Sequence, residues 1–113
     1  MTKPITYEDF EKVDIRVGRI IEVNDFSGAR KPAYKLKIDF GKETGIKRSS
    51  AQITKLYKKE DLIGKQVIAV VNFPPKQIAD FISDVLVLGV ADDNGAIILL
   101  KPDKDAGLGT RMS

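Results

Sequence analysis

Residues 34–40, Tyr-Lys-Leu-Lys-Ile-Asp-Phe, alternate apolar and charged side chains without a break. In an extended chain this period of two puts Tyr34, Leu36, Ile38 and Phe40 on one face and Lys35, Lys37 and Asp39 on the other. The segment reads as a half-buried strand, and the rest of the chain must supply a core for its apolar face.

The flanking residues extend the pattern. Val13, Ile15, Val17, Ile21 and Val23 share one phase, with Asp14, Arg16 and Glu22 opposite. Arg19 breaks that phase just after Gly18, and a glycine inside a long strand marks a bulge or bend, so this strand is expected to curl. Asp25 to Pro32 is a loop. After a turn over Gly41–Gly45, Ile46 to Ile53 makes a third, more polar strand. Lys55 to Ile63 is expected to be a short helix with Thr54 as cap and Gly64 as stop. Gln66 to Phe73, apolar on both faces, is a central fourth strand. Val85–Ala91 and Ala96–Leu100 form a closing hairpin, in which Asn94-Gly95 favours a type I′ turn. A short helix over Thr6–Phe10, capped by Thr6, opens the chain.

Three strands, a helix and further strands, with the first strand curled, describe an all-β fold: a five-stranded OB-fold Greek-key barrel. Short helices and a C-terminal β-hairpin extension complete it, in a single domain over residues 1–113; another small β-barrel is the alternative. Either scaffold binds extended polymers on an exposed strand face and its loops.

Composition narrows the function. The chain contains neither cysteine nor histidine. Disulfides and thiolate metal sites are excluded, and the commonest general base and nitrogen ligand are missing. No phosphate loop, HExxH, GxSxG or EF-hand pattern occurs. The expectation is a binding module and not an enzyme, with no catalytic residues, metal or cofactor. Apolar runs such as Val67–Val71 are too short to insert into a membrane, and Met-Thr-Lys-Pro-Ile-Thr lacks a signal-peptide core, so a cytoplasmic protein is expected.

The net charge of +3 is unevenly spread. Between Arg30 and Arg48 lie seven basic residues (Arg30, Lys31, Lys35, Lys37, Lys42, Lys47, Arg48) against Asp39 and Glu43. Such a run attracts phosphate, or it is a solvated sheet face whose lysines discourage aggregation. If nucleic acid binds, Arg30, Lys31, Lys35, Lys37 and Arg48 are the candidates.

The segments "DIRVGRI" (14–20), "PAYKLKIDFG" (32–41), "VIAVVNFPPK" (67–76) and "SDVLVLGV" (83–90), in this order and spacing, resemble the tRNA-binding domain. That family includes stand-alone tRNA-binding proteins and the C-terminal appendix of methionyl-tRNA synthetases. "KRSSAQIT" (47–54) and "NFPPKQIADFISDVLVLG" (72–89) look most like its CsaA branch, small bacterial proteins regarded as export chaperones. The resemblance implies a homodimer that binds unfolded or precursor polypeptides, with SecA as a possible partner and tRNA as the alternative ligand. The apolar residues Ile5, Tyr7 and Phe10 at one end and Ile97–Leu100 at the other are candidates for burial against a two-fold mate.

This chain departs from the tRNA-binding pattern Asn-Leu-Lys-Pro-Ala-Lys-Leu-Arg-Gly after the fourth strand. Gln77 stands at the second lysine, and Ala79-Asp80 at Arg-Gly. Lost cations weaken phosphate binding. In their place the loop gains Phe73, Pro74, Phe81 and Ile82. The expected peptide-binding set is Phe73, Pro74, Lys76, Ile78 and Phe81, with Arg30 at its rim and Phe81 the more exposed aromatic. In the competing reading, Phe73 and Ile82 simply cap the barrel.

Overall fold

The computed structural model describes residues 2–113. Helix α1 (Tyr7–Glu11) starts at a reciprocal cap: Asp9 N donates to Thr6 Oγ1 at 3.1 Å, and Thr6 N donates to Asp9 Oδ2 at 3.2 Å. There follow β1 (Ile15–Asp25), β2 (Tyr34–Asp39), the one-turn helix α2 (Gly41–Thr44), β3 (Ile46–Ala51), α3 (Lys59–Leu62) and β4 (Gln66–Val70). The remaining strands are short: β5 (Lys76–Ile78), β6 (Phe81–Ser83), β7 (Leu86–Val87), β8 (Gly89–Ala91) and β9 (Ile97–Leu99).

Five strands form one antiparallel sheet in the order β3-β2-β1-β4-β7. Strand β1 serves both halves. Ile15–Arg19 pairs with β4, and Arg19–Asp25 pairs with β2. The sheet then curls until its ends meet: Arg48 O accepts from Asp84 N (2.8 Å) and Val85 N (3.3 Å), and Ser50 N donates to Ser83 Oγ (3.1 Å). This nearly closed five-stranded ring is the OB-fold barrel.

The curl of β1 arises differently from the sequence expectation. The register shift lies between Ile20 and Glu22, so Ile21 bulges out and is exposed while Ile20 is fully buried. Val13, placed in the core phase by its alternation, is also exposed. Gly18 has another role. A Cβ there would lie 2.6 Å from Ile38 Cγ2 and 2.7 Å from Phe40 Cε1, so only glycine lets β2's core side chains cross beneath β1. Ile20, Leu36, Ile38, Phe40, Leu62 and Val67 form the fully buried centre.

Two local expectations need correction, and one segment is new. The helix expected over Lys55–Ile63 is only Lys59–Leu62. Tyr57 is held outside it, because its carbonyl accepts from Tyr34 Oη (2.9 Å) and its own hydroxyl accepts from Leu99 N (3.0 Å). The β8–β9 hairpin has no type I′ turn. Only Gly95 takes positive φ, at 81°, and Asp92 N donates to Ala96 O. Asp92 Oδ1 accepts from both Asn94 N and Ala96 N at 2.9 Å, which favours a three-residue loop with glycine at the bulge. Finally, residues 109–112, unassigned from sequence, run along the edge of β1 left free by β2. Gly109 N donates to Val17 O, Val17 N to Thr110 O and Met112 N to Ile15 O.

Among the described residues no helix is long and apolar enough to cross a membrane.

Candidate functional site

The residues between β4 and β7 are a built element. Asn72 pins their start, accepting from Asp14 N (3.0 Å) and donating to Lys12 O (2.7 Å). Pro74 and Pro75 then turn the chain out of the barrel, and β5 and β6 pair as a hairpin with Ile78 opposite Phe81. The turn is Ala79-Asp80, with Ala79 at φ 54°. Paired residues share a face, so Lys76, Ile78, Phe81 and Ser83 look toward the barrel and Gln77 and Ile82 look away. Ile82 is therefore exposed and does not cap the barrel.

On one side this hairpin borders a groove of about 730 Å³. Phe73, Pro74, Lys76 and Ile78 form one wall, Ser50–Ile53 of β3 and its extension another, and Val85–Gly89 with Ile97 and Leu99 the rest. Phe73 is 52% exposed and Leu86 48% exposed, so two large apolar side chains stand open to solvent in the same concavity. The charged residues of the lining are Lys76 and Asp84. Asp84 is already engaged by Arg48 at 3.4 Å.

Four of the five residues expected to bind peptide thus meet in this groove. Phe81 and Arg30 are not in its lining. Phe81 instead meets Phe26 edge to face, with ring centroids 5.4 Å apart. Phe26 is buried, so Phe81 is drawn down onto the barrel and Phe73 is the exposed aromatic, the reverse of the sequence expectation.

Phe81 belongs to the basic face. Lys35 Nζ lies 5.0 Å from the Phe26 ring centre and 5.5 Å from that of Phe81, and the Arg48 guanidinium is 5.8 Å from Phe81. At these distances the ring faces attract the cations and hold them above the sheet. Lys35 sits between Asn24 and Ser50 of the neighbouring strands, and Lys37 between Glu22 and Arg48. Lys37 pairs with Glu22 at 3.6 Å. Arg30 and Lys31 are exposed in the loop after β1, and that loop touches the hairpin tip, since a Cβ on Gly28 would lie 3.5 Å from Ala79 Cβ. Among the described residues Arg30, Lys31 and Lys35 have no carboxylate partner. The arrangement is a cationic face and an apolar groove separated by one hairpin.

Sequence reasoning missed Phe26, Gln52 and Leu86. Phe26 is an isolated aromatic beside a loop, and Leu86 lies in the run Val85–Leu88, apolar at both phases and so silent about which side chain faces out.

The barrel is a small OB-fold domain, and the chain belongs to the tRNA-binding-domain family: residues 15–111 match the model described as "Putative tRNA binding domain". Within that family it is similar to CsaA chaperones. The CsaA chaperone protein of Picrophilus torridus is 61% identical, with TM-score 0.91 over 97% of this chain and 100% of that one. Chaperone CsaA of Bacillus anthracis is 50% identical, with TM-score 0.92 over 98% and 100%. Methionine–tRNA ligase of Pyrococcus horikoshii is 43% identical over 108 residues, which are 96% of this chain and 14% of the ligase. The chain spans only that small share of the curated relatives it matches.

Proposed function

We propose that this protein is a CsaA-like molecular chaperone, a homodimer that holds unfolded or precursor polypeptides in the cytoplasm for export. The carrying observation is the groove beside the β5–β6 hairpin, where Phe73 and Leu86 stand half exposed among apolar neighbours. Unfolded chains present apolar side chains, and covering one in a dry pocket is worth roughly 1.5–3 kcal/mol. A few such contacts give reversible, micromolar holding, which suits a carrier. The likeness to two CsaA chaperones over their full length supports this reading. Transfer to SecA is part of the proposal and rests on the resemblance alone.

The dimer would use apolar surface that lies outside the groove. In β9, Ile97 and Leu99 turn inward to the groove, leaving Ile98 and Leu100 exposed, with Val90 paired opposite Ile98. Ile5 and Tyr7 are exposed at the other end of the chain.

The second reading is structure-specific tRNA binding. Its support is the set of cations that have no carboxylate partner among the described residues, Arg30, Lys31 and Lys35, beside Arg48 on the same surface. Competition separates the two readings. A fluorescent unfolded peptide should bind purified protein with little dependence on salt, and Phe73→Ala should weaken it about tenfold. If the protein binds tRNA in a strongly salt-dependent way but neither binds such peptides nor suppresses aggregation of a denatured protein, the chaperone reading fails.

A further inference from the structure

The groove is also the place where the barrel's closing seam stops. From Arg48 to Ser50, β3 is bonded to residues 83–85. Along a strand, every second residue points its N–H and C=O to the same edge, so Gln52 is the next to face this seam. No hydrogen bond to the backbone of Gln52 occurs among the described residues. The opposite wall has a counterpart. Leu88 N donates to Ile68 O, and Leu86 pairs with Val70, so the intervening Val87 directs its N–H and C=O away from β4. Those groups also have no partner among the described residues. Both Gln52 and Val87 line the groove.

We infer that the polypeptide held in this groove binds as an added β-strand. Its backbone hydrogen-bonds to the free edge at Gln52 or Val87 while alternate side chains enter the apolar pocket beside Phe73 and Leu86. The inference rests on the polypeptide-binding reading and specifies its mechanism. Backbone pairing is independent of side-chain identity, so it provides affinity for many sequences, and the pocket selects only for apolar residues at alternate positions. Charge sets the direction of the flank. With Asp84 engaged by Arg48, the uncompensated charge on the groove is the Lys76 ammonium. The occupant is therefore an extended apolar segment followed or preceded by a carboxylate that reaches Lys76.

The test uses the whole protein and one eight-residue peptide of alternating valine and threonine with an acidic residue at one end. Two variants carry N-methyl groups on every second residue, in opposite phases, and a third carries lysine for the acidic residue. N-methylation removes backbone donors and leaves the side chains in place. The expected result is binding of the parent, at least tenfold weaker binding of one N-methyl phase, and weaker binding of the lysine peptide that Lys76→Glu reverses. If both N-methyl phases bind like the parent while Phe73→Ala still weakens binding, the groove takes peptides through side chains alone and the strand mode is refuted. If the parent does not bind at all, the polypeptide-binding reading itself fails. Should Leu86→Arg abolish peptide binding by converting a dimer to a monomer, the groove is filled by a second copy of the chain and the inference is overturned.

Discussion

Phe81 meets Phe26 edge to face at 5.4 Å, and this contact decides which of the two surfaces Phe81 serves. The pair fastens the hairpin tip to the barrel and gives Lys35 and Arg48 an aromatic platform. Phe81→Ala should lower stability by about 1–3 kcal/mol, the lost burial of a partly exposed ring plus an aromatic contact. Peptide affinity per folded molecule should change less than threefold. Urea unfolding and peptide titration of the same variant check both parts; an unchanged urea midpoint with tenfold weaker peptide binding would return Phe81 to the groove.

Gly18 offers a sharper test of the core. A methyl group there would overlap the side chains of Ile38 and Phe40, both fully buried and unable to retreat without moving β2. Gly18→Ala should therefore destabilise the barrel by about 1–3 kcal/mol, as overpacked cores do. A neutral result in denaturant unfolding would mean that β1 and β2 cross at a greater distance.

The turn of the hairpin predicts the opposite sign. Ala79 has φ 54°, a left-handed conformation that costs an L-residue roughly 1–2 kcal/mol and glycine almost nothing. Against the greater freedom of glycine in the unfolded chain, Ala79→Gly should still gain about 0.5–1 kcal/mol. Thermal unfolding would show this as a small rise in Tm, and a fall would exclude the left-handed turn.

The barrel was legible where a single period ran unbroken. Tyr34, Leu36, Ile38 and Phe40 are all buried, as their alternation requires. It was less legible in β1, because a bulge resets the phase after Ile20 and Ile21 offers an equally apolar residue on the wrong side. In sequence, the extra residues of 72–84 look like a loop with added apolar side chains. Their pairing as β5 and β6 was hidden because the turn uses Ala79-Asp80, not a glycine that would announce it. The groove depends on which edge of β3 and β7 remains unpaired. That is a property of strand order, which local patterns do not record.

Absence of two residue types predicts a flat pH response. With no histidine and no cysteine, the chain has no side chain whose ordinary pKa lies between 6 and 8. The shift that the structure does impose is elsewhere. Asp25 accepts from Lys59 Nζ at 2.9 Å and raises that ammonium above its ordinary 10.5. A raised pKa adds stability that is complete below the unfolded value and is lost only as pH climbs through the folded one, so this contact is constant at neutrality. Peptide affinity should vary less than about twofold from pH 6 to 8, where no side chain has its ordinary pKa. A tenfold change would require a titrating group on the ligand.

Lys35 and Lys37 look equivalent in sequence, yet the structure distinguishes them. Lys35 rests over two aromatic rings and has no carboxylate partner among the described residues, whereas Lys37 is paired with Glu22 at 3.6 Å. A phosphate approaching Lys35 displaces only counterions, whereas at Lys37 it must compete with a fixed carboxylate. If tRNA binds this face, Lys35→Ala should reduce the slope of log affinity against log salt by about one, as loss of one phosphate contact does. Lys37→Ala should have the smaller effect. Glu22→Gln should strengthen tRNA binding by releasing Lys37 and removing a repelling charge. Measuring Kd across a salt series for the three variants decides it. Equal slopes for Lys35→Ala and the unaltered protein would show that this lysine does not contact phosphate and that the face is only solvated.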